Sequence, residues 1–228
     1  MKIAVIQHCV RPTADEDVEA LVVAVKNACE MKAQVIVLPW IPSLASADPQ
    51  QKAALTEKLS GCAQGTTLLM AFGATEAGHE VVLEQTPLGI TAFMRGDECL
   101  STEIYAHAEG RGAQAWVWRP LATSDLQAEA IVERAIAVSA SHVGLILLAE
   151  ACGGEPGETG HGSSAVLYLG DILSEAVFPD EILLVDVDVP VPFPEPREPL
   201  PPLSPILEQR LAIHEGRKLD VGYLADLS

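Results

Sequence analysis

Apolar runs of strand length alternate with segments of helical period along the first third of this chain. Lys2 to Gln7 is an apolar run. From Asp15 to Met31, Val18, Leu21, Val22, Val25 and Cys29 recur at helical spacing, with Thr13 and Asp15 as candidate N-caps. Val35-Ile36-Val37-Leu38 is short, mostly β-branched and closed by Pro39, the pattern of an interior strand. The three segments form a β-α-β unit, and a right-handed crossover makes its strands parallel neighbours. Asp48 to Cys62 predicts a further helix with Pro49 near its first turn. Strands are predicted over Thr67 to Gly73, Glu80 to Glu84 and Ile90 to Met94, the last two separated by a Pro87-Leu88-Gly89 turn.

The alternation then repeats. Cys99 to Arg111 is helical in pattern, and Gln114 to Trp118 is a strand ending at Arg119-Pro120. Asp125 to Ser141 carries Ala128, Ile131, Val132, Ala135 and Val138 at helical spacing behind a Ser124 or Asp125 cap. Val143 to Leu148, Ala165 to Leu169 and Ile182 to Val187 are apolar strands, and the Gly-rich, acidic tract 152–164 is a loop. Residues 190–205 are proline-rich and cannot form a central strand. The predicted organisation is therefore one α/β domain over 1–189, then a Pro-rich linker and C-terminal arm over 190–228. Such an arm is expected to lie against a partner subunit or against its own.

Composition narrows the partners. The 228 residues are 49% hydrophobic but only 4% aromatic, so the core is built from Ala, Val, Leu and Ile. Fourteen Lys and Arg stand against 32 Asp and Glu, a formal charge of −18. With no basic cluster, nucleic-acid and anionic-membrane binding are disfavoured, and cationic or neutral ligands are favoured over anions. Five widely spaced cysteines, with no C-x-x-C pair, predict free thiols in a reducing compartment. The opening MKIAVIQH is a strand start, not a signal peptide, and no apolar run approaches the ~20 residues of a membrane span. A cytoplasmic location is expected.

The opening stretch, with AQVIVLPWIPSL over 33–44, resembles the start of the nitrilase, or carbon–nitrogen hydrolase, superfamily. Three later stretches are similar to the same family: GAQAWVWRP (112–120), ERAIAVSASHVGLILLAEACG (133–153) and GHGSSAVLYLGDILSEAVFPDEILLVDVDV (160–189). The resemblance implies a four-layer α-β-β-α sandwich, shortened here, that pairs with another subunit. It also implies a catalytic Glu, Lys and Cys. The second strand resembles V-x-L-P-E, but Trp40 stands at the Glu position and cannot accept a proton. The stretch ATEAGHEVVLEQTPL, between Gly73 and Gly89, contains no Lys. GITAFMRGDECL (89–100) matches the nucleophile strand with Arg95 or Gly96 at the Cys position and Asp97 or Glu98 at the acidic one. The implied protein has a retained scaffold without its catalytic set, a structural or regulatory subunit that pairs with itself or with an active relative.

Two further readings stay open. A divergent amidase or nitrilase would use Cys99 or Cys152 as nucleophile, with Glu84, Asp97 or Glu98 as base. Against it, Asp97, Glu98 and Glu103 oppose a Cys99 thiolate, and a packed thiol is the plainer account of both cysteines. A small-molecule binding module would keep the pocket without chemistry. Trp116 and Trp118 alternate on one strand and face the same way. With Trp40, and with Arg95 at the neighbouring strand end, they are expected to line or fill the former pocket. GETGHGSS (157–164) has the glycine spacing of a phosphate loop, but Ser163 stands where its Lys belongs. His8, Cys9 and His161 lack metal-ligand spacing. No metal and no cofactor is expected.

Overall fold

The computed structural model describes residues 1–41, 48–70, 81–120, 122, 124–153 and 160–192, apart from the side chain of Asp97. Two sheets stack face to face, with helices on both outer surfaces. The first is built from β1 (Lys2–Cys9), β2 (Val35–Val37), β3 (Thr67–Leu69), β8 (Ala151–Cys152) and β11 (Glu181–Asp186). Its order is β11-β1-β2-β3, with β8 also paired to β1. The strands of the second are β4 (Val82–Thr86), β5 (Gly89–Arg95), β6 (Ala115–Arg119), β7 (Leu145–Leu148), β9 (Ala165–Tyr168) and β10 (Asp171–Glu175). They run in the order β10-β9-β7-β6-β5-β4.

The β-α-β expectation holds: β1 and β2 are parallel, with Ile3 opposite Val35 and Val5 opposite Val37. These four residues meet Phe93, Ala115, Val117, Leu145, Leu147 and Val166 of the second sheet in a core between the sheets. The alternate residues of the same strands face the helices. Ala4, Ile6, Ile36 and Leu38 pack beneath helices α1 (Ala14–Glu30) and α2 (Pro49–Cys62) through Leu21, Val25, Leu55 and Leu59. Met94, Trp116, Trp118, Ile146 and Leu148 pack beneath α3 (Thr102–Gly110) and α4 (Asp125–Ser141) through Ile104, Tyr105, Ile131, Ala135 and Val138. This is the predicted α-β-β-α sandwich.

Local chemistry sets the element ends. Thr13 and Glu16 form a reciprocal capping box at the start of α1, and Asp48 with Gln51 does the same for α2, where Pro49 occupies the first turn. Ser124 caps α4. The predicted turn at Pro87-Leu88-Gly89 joins β4 and β5 as an antiparallel hairpin. Gly89 sits at φ +93°, and a Cβ there would lie 1.9 Å from Gln114 Oε1.

Three details depart from the sequence reading. The helix expected from Cys99 divides into a 3-10 turn, Gly96–Leu100, and α3, because Ser101 stops one and caps the other. Strand β8 overlaps the start of the tract read as a loop. An unpredicted strand, β10, pairs with β9 at the edge of the second sheet, and its residues are mostly exposed. An edge strand with solvent on both faces carries no apolar alternation to read. Residues 71–73 of the expected third strand, and the arm beyond residue 192, lie outside the described residues.

Leu59 is fully buried and anchors α2 on the first sheet. Leu59→Ala is expected to cost about 2–5 kcal/mol of stability through lost burial and a residual cavity, read as a lower midpoint in urea unfolding.

Candidate functional site

Strands β2 and β5 end on the same side of the sandwich, and their ends carry the residues of greatest interest. Arg95, the last residue of β5, places its guanidinium 5.8 Å from the centre of the Trp40 ring, a cation–π contact that joins the two sheets. Trp40 and Arg95 are both partly buried. The structure thus brings Trp40 against Arg95, one of the two residues that the resemblance offers for the nucleophile position. Arg119, beside Arg95 in the parallel β5–β6 register, is buried and lies over the Phe93 ring at 5.7 Å. Burial, and to a lesser degree Arg95, pull its pKa down to about 10, while Cys99, Glu84 and Glu98 act the other way. The Glu98 carboxylate accepts the Arg95 backbone N–H at 3.0 Å and closes the 3-10 turn.

The other predicted residues fall elsewhere. Trp116 and Trp118 do face the same way, but into the helix-side core. There Tyr105 stacks on Trp118 at 5.8 Å and 10° and lies against Trp116 at 5.2 Å. They do not meet Trp40, because Ala115, Val117 and Arg119 hold the opposite face of the same strand, toward the other sheet. Cys99 is fully buried in that helix-side core; its thiol accepts the Arg119 backbone N–H, and the Tyr105 hydroxyl donates to its carbonyl. Burial drives its pKa far above the ordinary thiol range, so the thiol stays protonated near neutrality. Cys152 is buried beside the end of β1 and donates to the Pro179 carbonyl at 3.2 Å. Its pKa is pushed up to about 12, first by burial and then by Cys9. Glu84 is exposed on β4. Neither Cys99 nor Cys152 is primed as a thiolate. Residues 74–80 of the Lys-free stretch between Gly73 and Gly89, and residues 42–47 after Trp40, lie outside the described residues.

Sequence reasoning missed Glu150, which follows β7 and is fully buried. Its carboxylate accepts the N–H of Ala122 at 2.8 Å through Oε1 and that of Ser163 at 2.8 Å through Oε2. The Ser164 hydroxyl bonds both its backbone N–H and its carbonyl. Burial raises the Glu150 pKa, and the N–H groups of Ser163, Ala122 and His161 pull it back. A Cβ at Gly160 would lie 2.3 Å from Glu150 Oε1, so a side chain there has no room. The described part of the phosphate-loop-like tract therefore turns its amides on an internal carboxylate. Gln7 extends the network, accepting from Ser164 N at 3.0 Å and donating to the Phe178 carbonyl at 2.7 Å. At the end of β1, Asp17 accepts from His8 Nε2 and from Arg11 N–H, each at 2.7 Å. Among the described residues, no three His, Cys, Asp or Glu side chains are grouped to hold a metal ion. None of the described helices is long and apolar enough to cross a membrane.

No known family profile matches the chain, and no curated protein sequence matches it. Solved structures do. A mutant of the amidase from Nesterenkonia sp. AN1, with the acetamide moiety of fluoroacetamide added covalently at its active-site cysteine, is similar at TM-score 0.65 and 19% identity. That likeness covers 82% of this chain and 90% of that one. A cysteine-to-serine mutant of the same amidase, of the nitrilase superfamily, gives TM-score 0.67 and 18% identity over 95% and 97% of the two chains. A cysteine-to-alanine mutant holding butyramide gives 0.66 and 17% over 95% and 96%. At these identities the likeness establishes the fold: this chain has the architecture of a nitrilase-superfamily amidase.

This geometry has two measurable consequences. Cysteines that are protonated in the native state but ionise when unfolded make stability fall as pH rises above the unfolded thiol pKa of about 8.5. The drop is expected to be smaller in Cys99→Ala, and urea midpoints at several alkaline pH values measure it. Glu150→Gln turns an NH₂ group toward one of two backbone N–H donors, and a loss of about 1–3 kcal/mol is expected by the same unfolding measurement.

Proposed function

We propose that this chain is a nitrilase-superfamily protein that has lost carbon–nitrogen hydrolysis and serves as a structural or regulatory subunit. The observation that carries the reading is the Arg95–Trp40 contact. An aromatic ring stands at the position that the resemblance gives to the carboxylate base, and a guanidinium stands at or beside the one that it gives to the thiol. Trp40 accepts no proton, and the Arg95 guanidinium supplies no nucleophile. Thiol catalysis needs a thiolate, a base within hydrogen-bond reach and an oxyanion-stabilising group. The protonated, enclosed Cys99 supports the same reading. So does the absence of Lys from the short stretch between Gly73 and Gly89.

A subunit role needs a surface that associates. Val177 and Phe178, 78% and 64% exposed, follow β10 at the edge of the second sheet, and Ile172 and Leu173 on that strand are also exposed. Self-association across such an apolar patch is consistent with what large exposed apolar surfaces usually do.

The second reading is a divergent amidase, favoured by the likeness of nearly the whole chain to an active enzyme's fold. One experiment separates the two. The chain is incubated with fluoroacetamide, the compound that adds to the Nesterenkonia cysteine, and analysed by intact mass and peptide mapping, with ammonia release from acetamide and butyramide followed in parallel. No adduct and no ammonia above the buffer rate are expected, and Trp40→Glu alone is expected to create neither. An acetamide adduct on a single cysteine, with ammonia release, overturns the proposal and installs the amidase reading at that residue. Light scattering on the eluting protein is expected to give more than one copy per particle.

A further inference from the structure

Strand β8 is only two residues long, and it runs parallel to the end of β1 with Ala151 opposite His8 and Cys152 opposite Cys9. Matched positions on adjacent parallel strands send their side chains to the same face. Neighbouring strands lie about 4.8 Å apart, inside the roughly 4.4–6.8 Å between Cα atoms that a disulfide spans. The two residues are register partners, and Cys9 is among the groups that raise the Cys152 pKa. Both are free thiols, Cys9 partly exposed and Cys152 buried.

Their placement is fixed from several sides. The Cys9 N–H donates to Asp180 Oδ1 at 2.9 Å, and the Val10 N–H donates to the Cys152 carbonyl at 2.7 Å. Two glycines close over the pair. Gly153, at φ +76°, would bring a Cβ within 2.8 Å of Cys9 Sγ; Gly162, at φ +77°, would bring one within 2.8 Å of Cys152 Cβ and 3.2 Å of its Sγ. Larger residues at either position would wedge the sulfurs. Both thiols lie at the same end of the parallel strands as Trp40 and Arg95 but on other strands: Cys9 ends β1 and Cys152 ends β8, so a couple between them rests on residues other than those of the function proposed above.

We propose that Cys9 and Cys152 form a reversible redox couple, closed to a disulfide by a peroxide and reopened by a dithiol. Cys9, the more exposed, attacks one peroxide oxygen as its thiolate. The O–O bond breaks, the leaving hydroxide takes up a proton to become water, and Cys9 becomes a sulfenic acid. The Cys152 sulfur then attacks the Cys9 sulfur. The S–O bond breaks, and hydroxide departs as water with the Cys152 proton. Two thiols have lost two electrons and two protons, and one peroxide has become two waters. A dithiol reductant reverses the bond by exchange through a mixed disulfide. Oxidation fastens β1 to the strand that leads directly from Glu150, and so stiffens the end of the sandwich where the Gln7–Ser164–Glu150 hydrogen bonds meet.

The test uses the full chain, reduced and then exposed to a small excess of hydrogen peroxide under native conditions, quenched with N-ethylmaleimide and mapped without reductant. The expected result is a Cys9–Cys152 cross-linked peptide pair, loss of both thiols together, and recovery of both on adding dithiothreitol. In Cys152→Ser, Cys9 is expected to persist as a sulfenic acid that dimedone traps. Two results overturn the proposal. One is peroxide treatment of the unmutated chain that leaves Cys152 fully alkylatable while Cys9 is oxidised beyond the sulfenic state. The other is a disulfide that joins either residue to Cys29, Cys62 or Cys99 instead. The mapping of the unmutated chain decides the matter even where the serine variant does not fold.

Discussion

The central strands of both sheets are buried on both faces, and every site in this protein depends on that constraint. A strand with apolar cores above and below has no solvated side, so its side chains divide strictly by parity. Along β6, Ala115 and Val117 go to the core between the sheets, while Trp116 and Trp118 go beneath the helices. Small residues inside and large ones outside let the sheets approach closely and let α3 and α4 rest on aromatic bulk. Charged groups reach the space between the sheets at strand ends, past the last apolar pair. Arg95 and Arg119 occupy those ends on adjacent strands, and Trp40 reaches Arg95 from the other sheet.

Charge is managed at the rims in the same way. Burying a carboxylate is costly unless it is met by hydrogen-bond donors. Glu150 is met by backbone N–H groups from two different segments, and Asp17 by His8 and the Arg11 N–H. Glu150 ties a strand end to pieces of chain 28 and 13 residues away, whereas Asp17 ties the end of β1 to the helix that follows it. The tract around 160–164 has glycine spacing that suits an anion, and an internal anion is what it surrounds. Thiols are treated differently. Cys99 and Cys152 lie where ionisation is unfavourable, which suits packing.

Much of the fold was legible along the chain. The long helices Ala14–Glu30, Pro49–Cys62 and Asp125–Ser141, the hairpin turn at Pro87-Leu88, the apolar centre of β1 and the fully apolar strands β2 and β7 carry their own periodicity and caps. The sequence also determined which residues stand at the two strand ends, Trp40 and Arg95, and the excess of acid over base that disfavours polyanionic partners. Parity within β6 was equally readable: two tryptophans two apart must share a face.

Only the tertiary structure decided which face that was. Alternation sorts a strand's residues into two sets but does not say which set meets the other sheet, because both sides of an interior strand are apolar. Periodicity likewise assigned nothing to Glu150, whose role rests on N–H groups 28 and 13 residues away. The pairing of Cys9 with Cys152 came from a two-residue strand too short to carry a period. Local pattern reflects the free energy of a segment in its own layer. Contacts between layers, and hydrogen bonds that close across long separations, exist only once the layers have stacked.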